Sequence, residues 1–427
     1  MGVLTLIRLK LALEESVTVG SALSTIGPDR TIARDGDNQP WIPPSGIAGS
    51  FRSHLNSVDP ELVTRYMGSL DAGPSALRFV HTKFVAPPTD SRRRQTSVDP
   101  WRGAARKGSL RSTERIEAGA TLIADVSLDG DVSPLEDAFA TFAPFIGSGR
   151  SAGQGKTRLV EWKTGTLDLT NPSDLKTWLT LGGPSLVDAV ATEPRRPSDA
   201  SSPTIIASHR ASVVDGLLID PQPDCDDSGV LHARSSDHVH GSTLRGIIRS
   251  RCRFVLRSLA RHQRDTAGVS TKIGETGEAD LPEVERLIDE LFGSTDSAGC
   301  LRFPDAKIEV GDRSDRPHVA IDRITGGSCE GRLFTENVIG QGSFHLSIEK
   351  TGDVPPWANP LISSVLADID EGFVGIGGRT SRGLGTVSLH PSPQRPSQKE
   401  MQLVLNALAI DALTLDENTV PANGTTV

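Results

Sequence analysis

Two glycine-rich stretches carry the chemistry most open to reading from residue types alone. Ile146 to Thr157 runs IGSGRSAGQGKT, and Ile376 to Val387 runs IGGRTSRGLGTV. Glycines at this density let consecutive backbone N–H groups approach a phosphate and form an anion-binding concavity. Arg150, Arg379 and Arg382 would add charge-assisted contacts beside Gly147, Ser151 and Gly377. The first stretch ends in Gly155-Lys156-Thr157, close to a nucleotide-binding P-loop. Position 150, however, is Arg where that motif needs glycine, Leu159 to Leu169 alternate like a strand, and the second stretch lacks Gly-Lys-Thr altogether. Nucleotide hydrolysis at this loop is excluded. A tight turn packed on the neighbouring helix and an anion cradle both stay open.

A second candidate anion site is the small-residue turn that opens a helix. It reads Ser45-Gly46-Ile47-Ala48-Gly49-Ser50-Phe51-Arg52-Ser53 in one half and Ser242-Thr243-Leu244-Arg245-Gly246-Ile247-Ile248-Arg249-Ser250 in the other. Hydroxyls and free N–H groups at the positive end of a helix suit a phosphate, and they equally suit ordinary capping.

Stepping from these residues to the elements that hold them shows a chain that says the same thing twice. After each turn come Met67-Gly68-Ser69 or Phe292-Gly293-Ser294, Leu77-Arg78-Phe79 or Leu301-Arg302-Phe303, and Val98-Asp99 or Ile321-Asp322 with two further glycines. The glycine-rich stretch closes each copy. Such internal repetition predicts two units of one fold, and 427 residues exceed what a single core usually spans. The boundaries read as 1–175 and 205–393, with a linker over 176–204, where Ala191 to Pro203 holds three prolines, and a tail over 394–427.

Each unit opens with a period-two strand, Val3 to Leu13 or Thr204 to Val214. A helix then runs from the small-residue turn, to about Leu259 in the second copy. A second helix follows at Pro60 to Met67 or from Pro282, then strands including Ala120 to Leu128 and Phe344 to Ile348, and Gln398 to Ile410 could add one short helix. Strands split by crossover helices give the β-α-β order of ferredoxin-like domains, so the expected class is α+β.

Composition sets further bounds. Mean hydropathy of -0.23 with 36% apolar residues predicts an ordinary globular interior and no membrane segment. Arg8 and Lys10 interrupt any leader-like reading of the start, and four scattered cysteines without C-x-x-C spacing fit a reducing cytoplasm. Net charge is -9, yet Arg245 to Arg264 holds seven arginines and no acid, and Arg92 to Arg115 holds eight basic residues against Asp99 and Glu114. Either run could be a solvated face or a phosphate-binding one. Aromatic residues make up 4% of the chain, so base stacking is not expected to carry binding.

The small-residue turn leading into a basic helix, Phe-Gly-Ser followed by Leu-Arg-Phe-Pro-Asp-Ala, Ile-Asp-Arg-Ile-Thr-Gly-Gly, and the closing glycine-rich loop together resemble the RAMP superfamily. More narrowly, they are similar to the backbone subunit of type III CRISPR effector complexes. The resemblance is specific over 205–390 and weaker over 1–170, where Pro44 stands for Gly241 and Gly46 for Thr243.

It implies two tandem ferredoxin-like domains, each with a thumb hairpin, here about Val98 to Leu110 and Ile321 to Leu333, that kinks a guide and target duplex. The implied partners are a guide CRISPR RNA, a complementary target RNA and other subunits of the complex. Residues implied for RNA contact are Ser45, Gly49, Arg52, Arg102, Lys107, Gly147, Arg150 and Ser151 in the first unit. In the second they are Ser242, Thr243, Arg245, Arg249, Thr325, Gly377, Arg379 and Arg382.

Catalytic members of this branch cut target RNA with an aspartate in the loop before the turn, in a pattern resembling Asp-Ser-Pro-Val-Ile-Lys-Asp. Asp29 to Asp35 matches at both ends. Asp227 to Ala233 matches at the start only, with Asp226 an adjacent rival and Asp224 and Asp220 further candidates. An aspartate with a pKa of about 3.9 is a poor base at neutral pH, so ligating a divalent ion, Mg2+ or Mn2+, or orienting a 2′-hydroxyl is the expected role. A scaffold without cleavage is the alternative. His232, His238 and His240 open a third possibility, a guide-processing nuclease, but the first copy has no histidine before Arg52, which excludes a duplicated histidine mechanism.

Overall fold

The computed structural model describes residues 2–20, 30–69, 73–99, 104–198, 204–225, 231–267 and 281–408. Strand β1 (Val3–Leu13) follows directly from its period: Ile7, Leu9, Leu11 and Leu13 lie on one side of the pleat and are buried. Helix α1 (Pro44–Val58) starts on proline, which spares an N–H that has no helical partner, and buries Ile47, Phe51 and Leu55. Helix α2 (Pro60–Met67) is capped by Asp59, whose side chain accepts from Glu61 N.

Strand β2 (Leu77–Phe84) leads into a hairpin of β3 (Asp90–Gln95) and β6 (Arg111–Ile116), tipped by β4 (Val98–Asp99) and β5 (Ala104–Ala105). Strand β7 (Thr121–Asp129), helix α3 (Glu136–Ala140) and strand β8 (Thr157–Asp168) complete the unit. The sheet order β2-β7-β1-β8 is the antiparallel arrangement of a ferredoxin-like fold, with Leu9 opposite Ala124 on one side and Trp162 on the other. Phe51 stacks on Phe139 at 4.5 Å, and Phe139 on Trp162 at 5.6 Å, which joins helices and sheet in one core.

Residues 172–195, expected at the edge of the unit and in a linker, are folded. Asn171 caps α4 (Pro172–Thr180), and α5 (Gly183–Val190) lays Leu186 and Val187 against Leu6 and Leu167. Strand β9 (Glu193–Arg195) then pairs with β8 as a sheet edge. Of the three prolines that suggested a linker, Pro194 lies in this edge strand, where a missing N–H costs nothing, Pro197 follows it, and Pro203 lies outside the described residues. The first unit therefore runs on through Arg195.

The second unit repeats the plan. Strand β10 (Ile205–Val213) is central, followed by β11 (Gln222–Cys225), β12 (Leu231–Arg234) and β13 (His238–Val239). Helix α6 (Gly241–Ala267) extends well past Leu259, and α7 (Pro282–Phe292) buries Val284, Leu287, Ile288 and Leu291 against it. Strands β14 (Leu301–Arg302), β15 (Ala306–Ile321) and β16 (Ser328–Lys350) form the edge of the sheet and a long hairpin. Helix α8 (Ala358–Asp370) and strand β17 (Val387–His390) finish the core. The tail then adds α9 (Gln398–Ala407), with a Ser397–Glu400 capping box and Val404 and Leu408 packed into that core.

The same bonds recur in both units. Val17 bridges Ile116 as Leu217 bridges Ile339, and Ala33 N donates to Val19 O at 2.9 Å as Ser236 N does to Ile219 O at 2.8 Å. Among the described residues no helix is long and apolar enough to cross a membrane.

Candidate nucleic-acid interface

The glycine-rich stretches fold alike. In the first, Gly149 and Gly153, both left-handed, bracket a single 3-10 turn, Arg150–Ala152; in the second, left-handed Arg379 and Gly383 bracket Thr380–Arg382. Their glycines are explained by close backbone packing. A Cβ on Gly147 would stand 2.3 Å from Thr18 O, and one on Gly377 2.5 Å from Leu218 O. Much of the N–H supply is also spoken for. Ser148 N and Gly155 N bond Thr18 O and Ser16 O, and Gly378 N and Gly385 N bond Leu218 O and Gly216 O. The tight-turn reading accounts for both loops.

The first loop does more than turn. Its Arg150 and Ser151 carbonyls accept from Arg302 Nε and Phe303 N of the second unit, both at 3.1 Å. Outward carbonyls repel phosphate, so this face is a joint between the units rather than an anion cradle. Arg302, 1% exposed, also bridges Glu15 and Glu349 and lies 4.9 Å over the Phe145 ring. Burial by itself would lower its pKa, but hydrogen bonding and charge from Glu15 and Glu349 raise it on balance.

Ser242 belongs to the same joint. Its hydroxyl accepts from Arg93 Nη2 at 2.9 Å and Gln95 Nε2 at 3.3 Å, both on the first unit's hairpin. His240 lies beside it, 3.6 Å from Asp220 and 3.5 Å from Asp305, whose Oδ1 accepts from Gly241 N at 2.6 Å. Burial pushes both carboxyls above their usual range, and it lowers the Arg93 guanidinium to about 10, still protonated at neutral pH. Thr243 N bonds His240 O in the first turn.

The basic helix is also structural. Arg245 donates to Phe292 O, capping α7, just as Arg52 donates to Met67 O and Gly68 O at 2.6 and 2.8 Å, capping α2. Arg249 pairs with Asp289 at 3.2 Å, Arg253 with Glu285, Arg251 with Asp368 and Arg264 with Glu283. Arg52 and Arg245 thus cap neighbouring helices through backbone carbonyls, and Arg249 meets an acid that α7 supplies and the run itself lacks.

Exposed cations gather instead on the hairpins. Arg92, Arg94, Arg106, Lys107 and Arg111 are exposed in the first, Arg323 and Arg332 in the second. The tips are apolar and open to solvent: Val98 and Leu110 in one, Ile321, Leu333 and Ile324, 95% exposed, in the other. Asp322 shapes the second tip by accepting from Ile324 N, Thr325 N and Thr325 Oγ1, bonds that hold its carboxyl below the usual range. The period of two along β3, which turns the consecutive Arg92, Arg93 and Arg94 to alternate faces, was the signal that could have separated outward Arg92 and Arg94 from buried Arg93. Arg379 lies at the second joint-like turn, paired with Glu336 at 2.7 Å, and Arg382 is exposed there; Ser45 and Gly49 lie exposed on α1.

Asp29, Asp226, Asp227 and Arg102 lie outside the described residues, and so do the side chains of Asp224 and His232. Backbone register still bears on the pair of aspartates. Arg30 bridges Thr113 in parallel as Ala233 pairs with Glu336, so His232, not Asp227, holds the chain position that matches Asp29. Asp35 accepts from Asp37 N and Gln39 N, which makes it a loop cap. Among the described residues no group of three or more His, Cys, Asp or Glu side chains is placed to hold a metal ion.

A family model for the RAMP superfamily matches residues 10–158 and 229–388, more than half of the chain. Among solved structures, the chain is similar to one from a type III-B Cmr-beta complex bound to cognate target RNA, at 14% identity and a TM-score of 0.32. The match covers 38% of this chain and 60% of that one. A chain of the type III-B Cmr-beta complex in its apo state matches at 11% identity and a TM-score of 0.31, over 36% of this chain and 97% of that one. No curated protein matches.

Proposed function

The chain belongs to the RAMP superfamily, and from that premise we propose that it is a two-unit backbone subunit of a type III CRISPR effector that holds guide RNA and cuts complementary target RNA. One observation carries the RNA-binding part: each unit raises a hairpin whose tip is apolar and exposed while cations line its flanks. An exposed isoleucine gains nothing in water, but wedged between base steps it unstacks them, as apolar wedges do in kinked duplexes. Flanking Arg and Lys grip phosphates and carry no sequence information, which suits a protein that must accept any guide. The narrower type III assignment rests on the motif resemblance.

Cleavage is the finer proposal. A splayed nucleotide can bring its 2′-hydroxyl in line with the adjacent phosphorus, so that the 2′-oxygen–phosphorus bond forms as the 5′-oxygen leaves with a proton. Asp29 and Asp227 are assigned to orient that hydroxyl, whose proton passes to solvent while a solvent proton goes to the departing 5′-oxygen. A binding-only second unit is the competing reading, favoured by the register that sets His232 where the first unit has Asp29.

The test is the guide-loaded chain given labelled complementary RNA. Two cuts at fixed spacing are expected, one lost in Asp29→Ala and the other in Asp227→Ala. A single cut, lost only in Asp29→Ala, establishes the binding-only second unit. No cut removes the nuclease assignment, and RNA affinity unchanged by Ile324→Ser with Lys107→Ala removes RNA holding by the hairpins.

A further inference from the structure

The two units border their central strands differently. In the first, β8 pairs with β1 along its whole length, from Leu13 to Val3, and buried Trp162 on that strand stacks on Phe139 of α3. In the second, β17 pairs with β10 only from Val213 to Arg210. Pro391 and Pro393 follow, and because proline cannot donate to a ladder the strand stops and the chain leaves toward α9. The His209 ring marks the end of the pairing by bonding Pro391 O at 2.7 Å.

The first part of β10 is therefore an open edge. Over Ile205 to His209 it is paired with β16 on one side, while the backbone groups turned the other way meet no strand among the described residues. Beside this edge, between β10 and α8, lies a groove of about 580 Å³ whose apolar lining includes Ile206, Ala207, Val354, Ile362, Leu366 and Pro393. An unpaired ladder over an apolar slot is what an added strand requires, with main-chain bonds for affinity and a pocket for alternate side chains. The first unit meets the same need from its own β8.

The place where α9 ends points to the occupant. Ala407 O accepts from Arg286 Nη2 at 2.8 Å, and Arg286 lines a hollow with Thr351, Gly352 and Asp353. Lys350 and Val354, on either side of those three in the chain, line the groove itself. Residues 409–427 follow α9 and lie outside the described residues. Five extended residues span about 17 Å, enough to pass from Leu408 over this rim. The sequence there suits the slot, since Leu413 and Leu415 alternate with Thr414 and Asp416 at the period of a half-buried strand. Thr414-Leu415-Asp416 also repeats Thr166-Leu167-Asp168, the part of β8 that borders Thr5 to Val3 in the first unit. Asp416 and Glu417 complement Lys350, exposed at the rim.

We propose that the groove between β10 and α8 is a docking surface for the chain's own tail, with residues 411–416 adding a strand to the open edge. The assignment uses no property of RNA and stands apart from the cleavage test.

Hydrogen exchange in the full chain tests it. Wild type is expected to protect the amides of residues 205–209 to an extent that does not change with protein concentration, because docking within one chain is not governed by mass action. Leu413→Asp with Leu415→Asp alters no residue of either core and places charge where the slot is apolar. That variant is expected to exchange at residues 205–209 about tenfold faster than wild type or more, with β1 unchanged. A synthetic peptide of residues 409–420 is expected to restore the protection, and the same peptide with both aspartates is not. Protection that rises with protein concentration, together with a dimer in native mass spectrometry, would overturn the choice of occupant in favour of a second copy's tail. Equal exchange in wild type and the double variant, fast or slow, would overturn the docking surface.

Discussion

Asp305 sits where a helix start, a buried arginine and the contact of two units meet. Burial raises its carboxyl pKa, opposed by the charge of Arg93 and the hydrogen bond from Gly241 N. A carboxyl raised in the folded state takes up its proton before the unfolded chain does. Its contribution to stability is complete below the unfolded value and is lost as pH rises through the folded one. Asp305→Asn can keep the bond to Gly241 N without the charge. The melting temperature of wild type minus that of Asp305→Asn is therefore expected to fall as pH rises from about 4 to about 7; a difference that grows would show that Arg93 and Gly241 outweigh burial. None of this could be read from the segment around Asp305, because Arg93 reaches it from more than two hundred positions away.

Helix α6 shows how an element can mislead when read alone. Seven arginines without a local acid suggest a cationic face, yet Glu283, Glu285 and Asp289 project from α7 and Asp368 from α8 to meet them. The hairpins show the reverse. Their strands alternate and their turns carry glycine, so their place was legible, while the exposure of Ile324 follows only from having no core within reach. Removing one side-chain cation that neutralises a phosphate lowers the salt dependence of RNA binding by about one unit of slope. Lys107→Ala and Arg332→Ala are each expected to do so, while Arg249→Gln, which breaks a structural pair worth at most about 1 kcal/mol, leaves the slope unchanged. A slope reduced by Arg249→Gln and untouched by the hairpin variants would return the RNA to the helix face.

Among the described residues the two largest cores, one holding Phe51 and Leu9, the other Ile248 and Leu346, are joined by polar groups. Arg302 is the centre of that joint. Its removal leaves Glu349 and Glu15 without their cation, and breaking a buried ion pair in this way costs about 3–5 kcal/mol. Calorimetry of Arg302→Ala is expected to resolve two unfolding transitions where wild type shows more nearly one. A profile of unchanged shape would show that the units do not couple through this residue.

Local pattern by itself determined the duplication, the strand and helix order, and the ferredoxin-like class, because periods of two and 3.6 and the glycines at left-handed turns are properties of a few neighbouring residues. It also brought Ser242, Arg245 and Arg150 to notice as polar groups at helix starts and turns. Only the tertiary structure decided what those groups touch. Carboxylates and a carbonyl from distant segments neutralise the basic helix, N–H donors of Arg302 and Phe303 close the first glycine turn against the second unit, and the energy of a charge depends on what surrounds it in space rather than on what precedes it in the chain.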